Sequence, residues 1–199
     1  EKEIATLLQH LQSGKYPLIT ISGEGGSGKT RLSIALAERI LTEPTRQRYG
    51  DGIWFINCAN IAADVTTQEH LLIHIGSLLG IEFQSRTSFF QQLVAYLAPR
   101  SMLLILDSFE HLSDHGLVLI DLLQQTPNLQ ILVTSRHDLR LQRTLSMRLE
   151  GLDVPLLAKK PLDYALRPSE LSQLLQVASV KVFSDRAHII WPPFTVHKG

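Results

Sequence analysis

The chain has 199 residues, 44% of them hydrophobic and 19% charged, and its nineteen Lys and Arg residues balance nineteen Asp and Glu residues. This composition is typical of a globular domain with one sizeable core, and the balanced charge argues against binding nucleic acid or an acidic membrane by bulk electrostatics. The single cysteine, Cys58, excludes an internal disulfide framework, and with no apolar run of about 20 residues and no recognisable signal sequence we expect a cytoplasmic protein.

A short helix and a buried strand are the first elements predicted along the chain. Apolar residues between Ile4 and Leu11 recur at helical spacing, and Gly14 follows as a stop signal. The β-branched run Leu18–Ile21 then predicts a strand, and Arg31–Leu41 favours a second helix. The glycine-rich residues between these two elements therefore connect a strand to a helix.

That connection contains GEGGSGKT at Gly23–Thr30, which satisfies the pattern GxxxxGK[ST] of a phosphate-binding loop. Its glycines let successive backbone N–H groups turn inward around an anion, and the following helix adds the positive end of its dipole. We expect Lys29 to reach the β- and γ-phosphates and the Thr30 hydroxyl to hold Mg²⁺. The residues expected to contact the nucleotide are Gly23, Glu24, Gly25, Gly26, Ser27, Gly28, Lys29, Thr30 and Arg31.

The same glycines also match the dinucleotide pattern GxGxxG, which is a competing interpretation. A dinucleotide fold needs an acidic residue about 20 residues further on, at the end of the second strand, to hold a ribose. Here that strand ends in Asn57, Cys58 and Ala59, and Lys29 and Thr30 would have no role. The sequence therefore favours a nucleoside triphosphate over a dinucleotide or a plain glycine-rich turn.

Helices and strands continue to alternate after the loop. Ile53–Ile56 predicts a second strand, and Thr66–Glu69 has the pattern of a capping box that starts a helix. The later segments are a helix at 89–97, a strand at 102–106, a helix at 117–125, a strand at 129–134 and an edge strand at 145–149. Several strands are apolar throughout, so both faces of the sheet should be covered. The chain is therefore predicted to be a three-layer α/β domain with a mainly parallel five-stranded sheet.

Two acidic residues follow the apolar strand at 102–106. Asp107 stands at its carboxyl end, where parallel sheets present ligand-binding groups, so we expect it to provide a Mg²⁺ contact. The alternative is an aspartate that caps the next turn. Glu110 could polarise the attacking water as a general base, or it could cap the helical segment that follows.

Arg136 follows the next buried strand and should emerge on the same edge of the sheet as Asp107 and the loop. A guanidinium group near a γ-phosphate distinguishes a triphosphate from a diphosphate by charge and bidentate geometry. We therefore expect Arg136 to act as a nucleotide sensor, with a solvated loop arginine as the alternative. Arg140 and Arg143 are expected to face solvent.

The character of the sequence changes near Gly151, because five prolines punctuate the remainder. One helix is predicted there, at 169–187, as the first part of a helical subdomain. We therefore expect a nucleotide-binding domain at residues 1–155 and a partial helical lid or linker, cut short, at residues 156–199.

The ordered set of segments identifies a family resemblance. These segments are GEGGSGKTRLSIALAERI, DGIWFINCANI, LLILDSFEHL, ILVTSRHDLRL and RLEGLDVP. Through them the chain from Glu1 to about Phe183 resembles the signal-transduction ATPases with numerous domains, the STAND class that includes the NB-ARC-type AP-ATPases. It looks most like the bacterial members that are fused to transcription-factor or repeat modules.

The resemblance implies a sheet with strand order 5-1-4-3-2, bound ATP or ADP with Mg²⁺, and a switch between a closed ADP state and an ATP state able to oligomerise. It also implies partners in winged-helix, repeat or effector domains of the same protein. The balanced charge and the lack of a long apolar run give no signal that this segment binds nucleic acid or a membrane. Two features depart from the pattern. Ser108 stands where many relatives carry an acid, which leaves Glu110 as the base candidate. The arginine-containing segment before the first helix and the winged-helix and repeat regions are absent.

These observations predict a regulatory switch domain that couples slow, Mg²⁺-dependent ATP hydrolysis to interdomain rearrangement. Lys29, Asp107, Glu110 and Arg136 are its expected catalytic residues, and Thr30 and Asp107 its metal ligands. A nucleotide-held scaffold without turnover is one alternative. A small-molecule phosphotransferase is another, with thin support from Arg140 and Arg143.

Overall fold

The computed structural model describes residues 1–61, 67–85, 87–141, 144–153 and 168–193. The chain divides into two units, Glu1–Glu150 and Gly151–Gly199. The first unit contains helices α1 (Lys2–Ser13), α2 (Lys29–Thr42), α3 (Gln68–Leu78), α4 (Phe89–Leu97) and α5 (Leu117–Gln125). Its strands are β1 (Leu18–Ser22), β2 (Ile53–Asn57), β3 (Met102–Asp107), β4 (Leu129–Ser135) and β5 (Thr144–Arg148). The second unit contains α6 (Pro168–Leu174) and α7 (Ala178–Ile190).

The five strands form one sheet in the order β2-β3-β4-β1-β5, and every neighbouring pair is parallel. This is the order that the family resemblance implied, read from the opposite edge. Strand β4 therefore lies between the strand that precedes the glycine-rich loop and the strand that ends at Asp107. Parallel strands bring their carboxyl ends to one edge of the sheet, so these two segments open on the same side of the domain.

Burial explains why the three central strands are apolar. Every residue of β1, β3 and β4 is buried, whereas the edge strands β2 and β5 are partly exposed. One core cluster packs α3, α4 and α5 against one face of the sheet, and a second packs α1 and α2 against the other. The three-layer α/β prediction is thereby confirmed.

Helix α1 ends where its sequence signal predicts. Leu7, Leu8 and Leu11 are buried, and Gly14 takes the left-handed conformation (φ 63°) that closes many helices. Its N–H donates to the Leu11 carbonyl oxygen (3.3 Å). The amphipathic pattern and the glycine together therefore set both the buried face and the end of the helix.

The capping box proposed for α3 is wrong by one residue. Thr67 is the N-cap, and its hydroxyl accepts from the His70 N–H (3.3 Å). The ring Nδ1 of His70 lies 2.8 Å from the same hydroxyl, so histidine occupies the place expected for Glu69. Thr66 lies outside the described residues. Because Thr66 and Thr67 are adjacent, either could have been the N-cap. The spacing to Glu69 favoured Thr66, whereas the structure uses Thr67.

The single helix expected at 169–187 is also wrong, because α6 and α7 are separate helices. The first closes with short-range bonds, from the Gln176 N–H to the Gln173 carbonyl oxygen (3.1 Å) and from the Val177 N–H to the Leu174 carbonyl oxygen (3.0 Å). Val177 then adopts an extended conformation. Neither glycine nor proline marks this break, so the pattern gave no stop signal. Among the described helices, none is both long and apolar enough to cross a lipid bilayer.

Candidate functional site

The glycine-rich loop leaves the end of β1 and enters α2. Gly26 (φ 79°) and Gly28 (φ 97°) take left-handed conformations that L side chains rarely adopt, and Gly28 is the N-cap of α2. A Cβ atom placed on Gly25, Gly26 or Gly28 would meet no heavy atom within 4 Å. The outer face of the loop is therefore open, as a surface that receives a ligand must be.

The inner side of the loop is crowded at Gly23. A Cβ atom there would lie 2.4 Å from the Leu149 carbonyl oxygen and 3.1 Å from the Ser27 hydroxyl oxygen. That Ser27 oxygen is buried and has no hydrogen-bond partner in the described part of the chain. Glycine at position 23 is thus required by close packing between the loop and the end of β5.

The side chain of Lys29 folds back over the loop. Its ammonium group donates to the carbonyl oxygens of Gly23 (2.7 Å) and Glu24 (2.8 Å). One positive charge is therefore held beside the backbone that is expected to surround phosphates. Arg31, in the first turn of α2, is exposed.

Thr30 and Asp107 meet across the sheet, although 77 residues separate them. The Thr30 hydroxyl lies 2.9 Å from each oxygen of the Asp107 carboxylate, and Asp107 is only 3% exposed. A hydroxyl and a carboxylate are hard oxygen donors of the kind that Mg²⁺ prefers. The two side chains predicted as metal ligands therefore form one group whose chemistry fits magnesium.

Glu110 and Arg136 also come together at this edge of the sheet. The Arg136 Nε lies 3.3 Å from the Glu110 Oε1, with the two side chains 63% and 27% exposed. Phe109 is the N-cap of the short 3₁₀ helix Glu110–His115, so Glu110 does not cap it. The residues expected to act as base and sensor are thus paired with each other.

The buried thiol of Cys58 lies close to these carboxylates. Burial, with a smaller contribution from the negative charges of Asp107 and Glu110, raises its pKa to about 12. The thiol is therefore protonated at neutral pH and is a buried core group.

A cleft of about 670 Å³ adjoins the first residues of the loop. It is lined in part by Gly23, Glu24, Arg136, Arg140 and Arg148. Arg140 thus faces the same cleft as the expected sensor, while Arg143 lies outside the described residues. Three guanidinium groups outnumber the carboxylates of Glu24 and Asp138 in this lining, so the cleft has a small excess of positive charge that favours an anion.

The sequence did not indicate the part played by Thr134. Its hydroxyl donates to the Asp107 Oδ1 (2.5 Å), and it is 1% exposed. A threonine near the end of an otherwise apolar strand was the available signal, but the pattern cannot show which carboxylate it reaches. No group of three or more His, Cys, Asp or Glu side chains that could hold a metal occurs among the residues described.

The comparisons with known proteins agree with this geometry. The sequence profile of the NACHT domain matches residues 17–167. A Mycobacterium tuberculosis H37Rv protein, described as a candidate HTH-type transcriptional regulator, is 28% identical over 180 residues, or 90% of this chain and 17% of that protein. An uncharacterized protein of the same strain is 32% identical over 138 residues, or 69% of this chain and 33% of that protein. The chain thus spans a minor part of either relative.

Several solved structures share the fold of this chain. The Aeropyrum pernix ORC1 protein, determined in complex with DNA, has a TM-score of 0.57 at 13% identity, covering 92% of this chain and 49% of that one. Cdc6p of Pyrobaculum aerophilum has a TM-score of 0.53 at 18% identity, covering 73% and 44%. The ADP form of the Aeropyrum pernix ORC2 protein has a TM-score of 0.52 at 19% identity, covering 74% and 46%. At such identities the likeness concerns the fold alone.

Proposed function

The chain belongs to the NACHT domain family of STAND-class P-loop NTPases, the class recognised from its sequence, and we propose that it is a regulatory domain that binds ATP and ADP with Mg²⁺. The observation that carries this proposal is that Lys29, Thr30 and Asp107 lie at one edge of the sheet, with Lys29 bonded to the loop backbone and Thr30 bonded to Asp107. The fold shared with a solved ADP form further supports a nucleotide as ligand.

Each group has a defined task in nucleotide binding. Backbone N–H groups of the open loop surround the phosphates, and the Lys29 ammonium exchanges its two carbonyl partners for phosphate oxygens. Thr30 and Asp107 would hold Mg²⁺, which offsets phosphate charge when bound. Arg31 directly follows Thr30 and contributes positive charge in the first turn of α2.

The ion pair between Glu110 and Arg136 supports a role for the γ-phosphate as a switch. A γ-phosphate would compete with the Glu110 carboxylate for the Arg136 guanidinium, because each anion offers two oxygens that a guanidinium binds through parallel hydrogen bonds. Nucleotide exchange would therefore alter the contact between the turn after β3 and the end of β4. Differential affinity of two conformations for ATP and ADP is what such a switch requires.

Once Arg136 binds the γ-phosphate, the Glu110 carboxylate would be free to act as a general base in slow ATP hydrolysis. Glu110 would accept a proton from water as the water oxygen bonds to the γ-phosphorus, and the bond from that phosphorus to the β–γ bridging oxygen would break. The products are ADP and inorganic phosphate. The same ion pair also supports a second candidate, a scaffold that holds a nucleotide without hydrolysing it, because the paired Glu110 carboxylate is not free to act as a base. A single-turnover experiment distinguishes the two: bound ATP is converted to ADP by a hydrolase and stays intact in a scaffold.

The wider protein would supply the signal and the output. The mycobacterial relative described as a candidate HTH-type regulator is several times longer than this chain, so a DNA-binding module and sensor domains are the partners we propose. We also propose that the chain self-associates when ATP is bound, because the STAND class that it resembles behaves in this way. The cytoplasm, where thiols stay reduced, suits the single buried Cys58.

The proposed switch is tested by Arg136→Ala. We expect ATP affinity to fall by about 10- to 100-fold, the value of a charge-assisted hydrogen bond, while ADP affinity changes little. Isothermal titration calorimetry with each nucleotide measures both constants. Arg46→Ala removes an exposed arginine before β2, at the opposite end of the sheet, and is the charge-matched control. Equal losses for ATP and ADP would remove Arg136 as the group that distinguishes them.

A further inference from the structure

The turn after β3 is fixed by a residue of the neighbouring strand. Thr134 on β4 makes three contacts with it through main-chain and side-chain atoms. Its hydroxyl oxygen lies 2.5 Å from the Asp107 Oδ1 and 3.0 Å from the Ser108 nitrogen. Its carbonyl oxygen accepts from the Phe109 N–H (2.9 Å). One buried residue thus contacts three consecutive residues of the turn.

The direction of the Thr134 hydroxyl proton follows from these partners. A hydroxyl has one proton to donate, and the Ser108 N–H can only donate. The Thr134 oxygen must therefore accept from Ser108, which leaves its proton for the Asp107 Oδ1. The Thr30 hydroxyl likewise donates to the Asp107 carboxylate. Asp107 is consequently held between two close hydroxyl donors, one from the loop side and one from β4, with the Ser108 hydroxyl as a more distant third (3.5 Å).

The backbone of the turn shows why such a contact is needed. Ser108 has φ 61°, a left-handed conformation that costs a non-glycine residue about 1–2 kcal/mol. The bonds from Ser108 and Phe109 to Thr134 offset this cost and hold the turn in one geometry. That geometry sets the position of Asp107 before the turn and of Glu110 after it.

We propose that Thr134 is the positioning residue that orients Asp107 for Mg²⁺, an inference that rests on the proposed nucleotide-binding function. Thr134 bonds only to Oδ1, so Oδ2 has the Thr30 hydroxyl (2.9 Å) and the more distant Ser108 hydroxyl (3.5 Å) as its donors among the residues described. Groups that orient a metal ligand typically contribute 10- to 100-fold to metal affinity. Thr134 would therefore act through Asp107 without touching nucleotide itself.

The test compares nucleotide affinity with Mg²⁺ and with EDTA in the same protein. The variant Thr134→Val keeps the shape of the side chain but removes the hydroxyl. The Mg²⁺ gain is the ratio of ATP affinity measured with Mg²⁺ to that measured in EDTA. We expect this ratio to fall by about 10- to 100-fold in Thr134→Val, with the affinity in EDTA unchanged. Thr134→Ser retains the hydroxyl and should recover most of the gain. Calorimetry of ATP binding in both buffers gives the two constants.

Thr20 supplies a matched control within the neighbouring strand. It is 1% exposed, and its hydroxyl has no hydrogen-bond partner within the described ranges, so Thr20→Val removes a buried hydroxyl without breaking a bond. We expect this variant to keep the full Mg²⁺ gain. A purely structural effect of Thr134→Val would lower ATP affinity in EDTA as well as in Mg²⁺, whereas loss of Asp107 orientation lowers only the gain from Mg²⁺.

Several outcomes would overturn the proposal. A folded Thr134→Val protein with a Mg²⁺ gain within about twofold of the unchanged chain would contradict it. If that variant does not fold, Thr134→Ala removes the same hydroxyl, and failure of both to fold while Thr20→Val folds would show a structural role instead. Absence of ATP binding by the unchanged chain in either buffer would contradict the proposed function rather than the role of Thr134.

Discussion

At the scale of single residues, the site depends on a few side chains whose roles differ in how openly the sequence shows them. Lys29 and Thr30 were identifiable because their spacing from the loop glycines is fixed by the phosphates that such loops bind. Asp107 was identifiable because it ends an apolar strand. Thr134 and the strained Ser108 were not, since a hydrogen bond between strands depends on register, which no short pattern encodes.

Gly23 gives the sharpest prediction at this scale. Gly23→Ala places a methyl group 2.4 Å from the Leu149 carbonyl oxygen, so we expect a loss of about 1–3 kcal/mol in the free energy of unfolding. Urea denaturation followed by circular dichroism measures it. Gly25→Ala is the matched control, because its Cβ would meet nothing within 4 Å. Equal stability of the two variants would contradict the close approach of the loop to the end of β5.

At the level of secondary-structure elements, the order of the strands determines which side chains meet in the site. Placing β4 between β1 and β3 brings Thr134 beside Asp107 and Arg136 beside Glu110. Hydrophobic periodicity predicted nearly every element of the first unit, because each central strand and each flanking helix has a buried face. It failed at the break between α6 and α7, where α7 has no buried residue and local bonds decide the outcome.

A buried hydrogen bond links the segment before β2 to β4. The Tyr49 hydroxyl donates to the Gln130 Oε1 (2.6 Å), and both residues are nearly inaccessible. Burial raises the pKa of Tyr49 to about 12, with a smaller opposing effect from the positive charge of Arg48. Since the pKa in the folded chain exceeds the usual 10.0, Tyr49 stabilises the fold fully below pH 10 and loses that contribution as pH rises from 10 to 12.

The prediction is that Tyr49→Phe lowers the free energy of unfolding by roughly 1–3 kcal/mol at pH 8, because the Gln130 oxygen loses its donor. Above pH 10 the difference between the two proteins should shrink by about 1.4 kcal/mol per pH unit, since only the unchanged chain carries this ionisation. Urea denaturation at pH 8, 9.5 and 11 measures the difference. A constant difference across that range would show that the phenol does not ionise more readily in the unfolded chain.

At the scale of the whole molecule, the chain is a nucleotide-binding unit that corresponds to part of longer relatives. Its fold and class could be predicted from the ordered motifs, because the glycine-rich loop, the strand that ends at Asp107 and the strand before Arg136 occur in the sequence order that one sheet topology requires. The signal and the output could not, because no pattern in this sequence specifies either. We propose that this unit contributes a nucleotide-dependent change of contacts at one edge of its sheet.

The central claim is that the backbone amides of the glycine-rich loop and the Lys29 ammonium bind a triphosphate. The most direct measurement is isothermal titration calorimetry of the 199-residue chain with ATP and Mg²⁺, beside Lys29→Ala and the exposed control Lys2→Ala. We expect saturable binding by the unchanged chain and by Lys2→Ala, and no detectable heat for Lys29→Ala. Full affinity in Lys29→Ala, or no heat from a demonstrably folded unchanged chain, would contradict it.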